Sequence, residues 1–144
     1  MAQPLNQILS IARKNNLAGL EILWKFSYTD LQKIYNGIGP DRFPQWLRTI
    51  ITEANGLFEP AAVIHDVQYH LGGTYDDFTA ANKQFKENCY VLVKAAYGWY
   101  NPARYKWLFR ARRYAEYCQV FGWSGYHKAF GVQCACARCV GEPR

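Results

Sequence analysis

Apolar residues recur along most of the chain at spacings of three and four, which is the period of an amphipathic α-helix. The first segment has Leu5, Ile8, Leu9 and Ala12 at these positions. Two basic residues, Arg13 and Lys14, follow them, and cations are favourable at the C-terminal end of a helix. The pattern therefore predicts a first helix that ends near Lys14.

Proline and glycine mark the boundaries of the other predicted helices, because proline suits the first turn of a helix and glycine the residue just beyond its end. We predict helices through residues 17–24, from Thr29-Asp30 to Asn36-Gly37, from Pro44 to Asn55-Gly56, from Pro60 to Gly72-Gly73, over about 76–97, and from Asn101-Pro102 to about Gly122. The prediction is one all-α domain over residues 1–144, a compact bundle of about five to six helices. The helices on either side of Gly72-Gly73 would form an antiparallel central pair.

The composition agrees with a dense core and a cationic surface. Half of the residues are hydrophobic and 17% are aromatic, which excludes a disordered chain. The net charge of +6 favours an anionic partner, either a membrane surface or nucleic acid. Charged residues interrupt the first 26 positions, so no signal peptide is recognisable and we expect synthesis in the cytoplasm, with any export by another route.

The segment His65-Asp66-Val67-Gln68-Tyr69 lies on a predicted helix and carries two kinds of chemistry. Residues four apart share a helix face, so His65 and Tyr69 project together, while Asp66 points about 100° away. Histidine titrates near neutral pH and can take a proton from water. The carboxylate of Asp66 is a hard oxygen ligand of the kind that calcium prefers.

Calcium takes about six to eight oxygen ligands, so one carboxylate needs help from backbone carbonyls. The upstream segment Tyr35-Asn36-Gly37-Ile38-Gly39 suits that task, because glycines let a loop curl and aim several carbonyl groups at one point.

Tyr-x-Gly-x-Gly followed by His-Asp-x-x-Tyr resembles the calcium-dependent phospholipases A2, and most closely their short, cysteine-poor bacterial and viral (phage) members. The resemblance covers residues 35–97. It implies calcium bound by the backbone carbonyls of Tyr35, Gly37 and Gly39 and by the Asp66 side chain, with His65 as the base that activates water and Tyr69 as a brace. It also implies hydrolysis of a glycerophospholipid acyl ester at a phospholipid membrane surface.

A second motif, Ala81-Asn82-Lys83-Gln84-Phe85, resembles the Ala-Asp-x-x-Phe element of the same family but lacks its acid. In the family that carboxylate holds the catalytic histidine. Asn82 can accept the ring N–H but supplies no negative charge. It lies on one helical stripe with Phe78, Phe85, Cys89 and Leu92, so it should point inward and meet His65. Asp76 and Asp77 lie off this stripe.

The missing acid leaves a second reading open, in which the chain is a non-catalytic or weakly active module that binds a membrane or a partner on the same scaffold. A third reading makes His65 an ordinary core histidine and pairs Asp66 with an arginine.

The later part of the chain adds two further possibilities. Aromatic and basic residues occur together in one stretch, at Trp99, Tyr100, Arg104, Lys106, Trp107, Arg110, Arg112 and Arg113. They suit a lipid-headgroup interface, or equally a helix with an aromatic core face and a solvated basic face. Nucleic acid ranks below both because no recognition motif accompanies the charge.

A zinc site of three cysteines and one histidine would take the four residues His127, Cys134, Cys136 and Cys139. This spacing supplies only half of a paired-cysteine zinc motif, so the prediction ranks zinc below a loosely ordered tail of reduced cysteines over 123–144.

Overall fold

Five α-helices and one 3-10 helix make up the regular structure of the residues that the computed structural model describes, which are 4–35, 54–123 and 126. The elements are α1 (Leu5–Lys14), a 3-10 helix (Leu20–Lys25), α2 (Tyr28–Ile34), α3 (Glu59–Leu71), α4 (Tyr75–Ala96) and α5 (Pro102–Phe121). No strand occurs in this part of the chain. The predicted all-α bundle is therefore confirmed, and the helix predicted from Pro44 lies largely outside the described residues.

Helix boundaries follow the capping chemistry of the sequence. Thr74 and Asp77 form a reciprocal capping box at the start of α4, with the Thr74 hydroxyl accepting the Asp77 N–H and the Asp77 carboxylate accepting the Thr74 N–H. Gly72 and Gly73 have φ values of 72° and 146°, which side-chain-bearing residues rarely adopt, and they turn the chain between α3 and α4. The short turn makes α3 and α4 antiparallel neighbours.

The helix predicted through residues 17–24 is instead the 3-10 helix Leu20–Lys25. Asn16 and Gly19 both have positive φ, at 50° and 85°, so the chain changes direction twice before the 3-10 helix begins. Six residues separate Gly19 from Phe26, whose backbone is extended. A segment of this length suits a short 3-10 helix.

Helix α4 packs against both α3 and α5, whereas α1, α2 and the 3-10 helix pack against α3. The predicted stripe on α4 is buried in full, at Phe78, Asn82, Phe85, Cys89 and Leu92. The predicted apolar face of α1 is buried as well. The predicted central pair, α3 and α4, is thus joined by α5 to form a group of three packed helices.

The described helices include none that is both long enough and apolar enough to cross a membrane.

A buried asparagine fastens the segment before the 3-10 helix to α4. The side chain of Asn88 is almost fully buried, its Oδ1 accepts the Ala18 N–H at 2.9 Å, and its Nδ2 donates to the Ala18 carbonyl at 2.9 Å. One side chain thereby satisfies both backbone groups of a residue that lies outside regular secondary structure, which ties the N-terminal part of the chain to the central helix.

We expect Asn88→Leu to lower the free energy of unfolding by about 1–3 kcal/mol, because it leaves both Ala18 backbone groups without their partner while keeping the side-chain volume. Glu87→Leu, an adjacent and exposed position on α4, is the matched control and should change stability little. Urea unfolding of the two variants checks this, and equal losses would contradict the role given to Asn88.

Candidate active site

His65 and Tyr69 of α3 meet Asn82 of α4 in the buried interface between the two helices. His65 precedes the Gly72-Gly73 turn by about as many residues as Asn82 follows it, so antiparallel packing brings the two to the same level. His65 Nε2 and Asn82 Oδ1 are 2.8 Å apart. The contact that the sequence motifs lead one to expect is present.

The Asn82 amide is bonded at both ends. Its Oδ1 also accepts the Tyr69 hydroxyl at 2.8 Å, and its Nδ2 donates to Gln119 Oε1 at 2.8 Å. With the amide oxygen turned to the histidine, Nε2 must carry the ring proton, since an acceptor faces it. The other ring nitrogen of His65, Nδ1, is then unprotonated and holds the lone pair that a general base needs.

Gln119 of α5 is a member of this network that the sequence did not identify. Its Nε2 donates to the Tyr75 hydroxyl and to Thr79 Oγ1, both at 3.2 Å, while its Oε1 accepts from Asn82. A glutamine near the end of a helix is usually a solvated surface residue, so only the packing of α5 on α4 reveals its role. We call His65, Tyr69, Asn82 and Gln119 the Asn82 network.

The far side of the Asn82 network is closed by aromatic rings and by a glycine. Tyr126 is buried against Tyr69 and Phe78, with ring centroids 5.1 and 5.4 Å away. Gly122 passes so close to the Tyr69 hydroxyl that an added Cβ would overlap it. The Tyr69 hydroxyl is therefore held on Asn82 by its surroundings, as a brace for the histidine must be.

The environment of His65 keeps the ring neutral. Burial lowers its pKa to about 4, and the hydrogen bond to Asn82 opposes that shift only in part. The rings of Tyr69 and Phe85 lie against it, with centroids 4.3 and 4.7 Å away. Because no charge in the network offsets the burial, the imidazole is in the proton-accepting form at neutral pH but is a weak base.

Asp66 takes no part in the network and points to another side of α3. Burial raises the pKa of its carboxyl to about 7. Within the described residues its side chain makes no hydrogen bond and no salt bridge, so the pairing with an arginine that one reading expected is absent there. Among the described residues, the groups whose pKa values respond to its charge are Tyr35, Tyr69, Tyr114 and Cys118, none of them a cation. A half-buried carboxylate without an ion pair in this part of the chain suits a cation ligand.

Tyr35, the first residue of the predicted calcium loop, lies on the Asp66 side of α3. It is buried at the end of α2, and its hydroxyl donates to Glu59 Oε1 at 2.7 Å. Burial first, and then the nearby Glu59 and Asp66 carboxylates, raise the pKa of the Tyr35 phenol far above its usual range. Gly37 and Gly39 lie outside the described residues.

Glu59 is a buried acid that the sequence analysis passed over. It begins α3 and lies two helical turns before Asp66, so both carboxylates fall on one side of the helix. The sequence shows only that Glu59 precedes Pro60, at the start of a predicted helix, where an acid is favourable in the first turn. That position predicts helix capping and does not predict burial.

Side chains alone do not form a metal centre in the described residues, where no group of three or more His, Cys, Asp or Glu comes together. The predicted calcium site does not require one, because it combines a single carboxylate with backbone carbonyls. The predicted zinc ligands His127, Cys134, Cys136 and Cys139 lie outside the described residues. Asp77, already excluded as a partner of His65, is engaged in the capping box of α4.

Comparison of the chain with protein-family models, with curated proteins and with solved structures found no match.

We expect Asp66→Asn to stabilise the calcium-free fold at alkaline pH. The pKa of Asp66 is higher in the folded than in the unfolded chain, so folding is penalised where the unfolded carboxyl is ionised, and the penalty is complete above about pH 7. Removing the charge should raise the free energy of unfolding at pH 8 by on the order of 2 kcal/mol, and the gain should fade as pH is lowered toward 4.

Urea unfolding in a chelator, at several pH values, measures this difference. Glu87→Gln, at an exposed position of α4, is the control and should show no comparable gain. A gain that stayed the same from pH 4 to pH 8 would mean that the Asp66 charge is not its cause.

Proposed function

We propose that this protein is a calcium-dependent, phospholipase A2-like hydrolase that cleaves an acyl ester of a glycerophospholipid. The observation that carries the proposal is the 2.8 Å hydrogen bond between His65 Nε2 and Asn82 Oδ1 across two antiparallel helices. Two motifs, read separately from the sequence, require this contact if they belong to one hydrolytic site. The hairpin brings positions 65 and 82 to one level, and the support for the proposal is that the side chains there are a histidine and a hydrogen-bond acceptor in contact.

In the proposed reaction, Nδ1 of His65 removes a proton from the water that attacks the ester carbonyl. Asn82 holds Nε2–H and so fixes which nitrogen is free, and the Tyr69 hydroxyl fixes the amide oxygen from its other side. The histidine then returns the proton to the leaving alkoxide, which yields a fatty acid and a lysophospholipid.

Asp66 and the backbone of the loop that begins at Tyr35 would hold the calcium ion. The fit rests on the carboxylate itself, which is desolvated and lacks a salt bridge in the described part of the chain. When bound, calcium would polarise the ester carbonyl and stabilise the negative charge that develops on its oxygen.

The reaction should be slow, because nothing in the Asn82 network stabilises the imidazolium that forms when His65 takes up a proton. In a serine protease, replacing the aspartate behind the histidine by asparagine lowers kcat by about 10⁴. The low pKa of His65 has the same origin, since burial is not offset by a negative charge.

The direct test is release of fatty acid from phosphatidylglycerol and phosphatidylcholine vesicles at millimolar calcium. We expect hydrolysis that stops on chelation and falls at least about 100-fold in His65→Ala, which removes the base. His70→Ala is the matched control, because His70 lies on the same helix, packs edge-on against Phe26 and should leave the rate nearly unchanged. Wild-type release no greater than that of His65→Ala would refute the proposal.

A second experiment restores the acid. We expect Asn82→Asp to raise the rate by about 10²-fold or more, because a carboxylate against Nε2 raises the pKa of His65 and stabilises its protonated form. The same change removes the donor that faces Gln119 Oε1, so the Gln119 amide must rotate and the Tyr75 and Thr79 hydroxyls must turn to donate to it.

Burial of the new carboxylate should lower the free energy of unfolding by on the order of 1–2 kcal/mol, which urea unfolding measures beside the initial rates. Asn82→Leu is the control that supplies neither charge nor acceptor, and it should lose both activity and stability. A folded Asn82→Asp variant that is no faster than wild type would show that the missing charge does not limit the reaction.

The self-contained bonding of Asn82 favours a second candidate function, a binding module without catalysis. Every hydrogen bond of its amide goes to an uncharged side chain, so the network is complete as a structural core. This candidate is supported if vesicles bind the protein while Asn82→Asp, well folded, still releases no fatty acid.

A further inference from the structure

One stretch of the sequence contains basic residues and no acidic ones. Between Asn88 and Ala115 there are six basic residues and no acidic ones, at Lys94, Arg104, Lys106, Arg110, Arg112 and Arg113. Removing these six from the 17 basic residues of the chain leaves 11, which equals the number of Asp and Glu. This segment, which covers the end of α4, the turn that follows it and most of α5, therefore carries a charge equal to the net charge of the whole chain.

Large aromatic side chains are exposed at the same place. Trp99 and Tyr100 in the turn between α4 and α5 are 74% and 76% exposed, and Tyr105 and Phe109 of α5 are 55% and 56% exposed. The Tyr105 hydroxyl donates to the Trp99 carbonyl at 2.7 Å, which joins the turn to the outer face of α5. We call Trp99, Tyr100, Arg104, Tyr105, Lys106 and Phe109 the hairpin surface.

The cations of the hairpin surface are not neutralised by acids. Arg104 and Lys106 make no ion pair within the described residues, and the Lys106 ammonium lies 5.0 Å from the ring centroid of Trp107. The nearest acid along α5 is Glu116, which pairs with Arg112 and Arg113 further along the helix. Exposed rings and cations without an ion pair in the described residues thus lie at the same end of the α4–α5 hairpin.

We propose that the hairpin surface docks on an anionic phospholipid bilayer, and that it does so without calcium and without the Asn82 network. Trp and Tyr are the side chains that settle at the level of lipid headgroups, and each Lys or Arg near an anionic membrane adds attraction. The rings supply apolar area for insertion, and Arg104 and Lys106 supply the charge that complements the headgroups.

The shape of the hairpin surface favours a bilayer over a nucleic acid. Single-stranded nucleic acids bind in a groove that tracks the backbone and stacks bases on its aromatic floor. Here the rings project from a turn and from the outer face of a helix, where Trp99 and Tyr100 have most of their area in solvent. Projecting rings can enter a lipid interface but cannot enclose a strand.

The hairpin surface is also remote from the candidate active site. Asn82 lies about 20 Å along α4 from the turn that carries Trp99. Binding at this surface is therefore separable from hydrolysis, and a protein that fails as an enzyme can still bind lipid through it.

The test is co-sedimentation of the wild-type protein, in a chelator, with mixed phosphatidylserine–phosphatidylcholine vesicles and with pure phosphatidylcholine vesicles. We expect binding to the mixed vesicles that weakens with added salt, and much weaker binding to the pure ones. The double variant Arg104→Gln/Lys106→Gln should weaken partitioning about 30-fold, given the usual contribution of two cations near an anionic surface. Trp99→Ala/Tyr100→Ala should weaken it about tenfold or more.

Two control variants make the same chemical changes elsewhere. Lys33→Gln/Lys83→Gln removes two exposed cations, and Trp24→Ala/Tyr28→Ala removes two exposed rings. Both should bind as wild type does. Equal losses in test and control variants, no preference for phosphatidylserine, or tighter binding to polyuridylate RNA than to vesicles would each overturn the proposal. Thermal unfolding confirms that every variant is folded before it is compared.

Discussion

The Asn82 amide joins three helices at one buried point, and the arrangement of the rest of the structure depends on it. Its oxygen accepts hydrogen bonds from His65 and Tyr69 of α3, and its nitrogen donates one to Gln119 of α5. A buried polar group that loses a partner costs about 1–3 kcal/mol. Rotation of α5 by a single residue would turn Gln119 about 100° away and leave the amide nitrogen unsatisfied. The network therefore fixes the register of three helices that apolar packing alone would leave freer to shift.

The same amide sets the balance between stability and chemistry. A neutral asparagine in the core satisfies a neutral histidine without the desolvation penalty that a buried carboxylate would bring. The consequence is a histidine with a pKa near 4 and nothing to stabilise its protonated form. The carboxyl of Asp66, which has no ion pair in the described part of the chain, has a pKa near 7 because of burial. Burial of a charge therefore costs stability at Asp66, where we propose that calcium binds, and not at His65.

The parts of this arrangement that local rules govern could be read from the sequence. The helical period gave the buried face of α1 and the stripe on α4, and Gly72-Gly73 implied the antiparallel turn that brings Asn82 to His65. The parts that depend on long-range packing could not be read. Aromatic residues occur on nearly every side of α5, so its sequence did not reveal which face meets α4 or that Gln119 would reach Asn82.

Two further features could not be predicted from the sequence, for the same reason. The burial of Glu59 depends on where α2 ends, because the Tyr35 hydroxyl that satisfies its carboxylate comes from a helix 24 residues upstream. The 3-10 helix depends on two bends, at Asn16 and Gly19, that the apolar pattern of residues 17–24 does not encode. In each case the sequence specified the residue type, and the partner was set by the packing of distant segments.

The length of α4 separates the two surfaces to which functions are assigned. The 22 residues of α4 span about 33 Å, with the Asn82 network toward one end and, at the other, the turn that carries Trp99 and Tyr100 of the hairpin surface. Charges some 20 Å apart are largely screened at physiological ionic strength, where the Debye length is about 8 Å. Cations placed beside His65 would lower its pKa further and weaken the base, and cations beside Asp66 would neutralise the carboxylate proposed to bind calcium. Because Arg104 and Lys106 lie about 20 Å along α5 from Gln119, their attraction to a membrane would act without either effect, and the two proposed functions would be electrostatically independent.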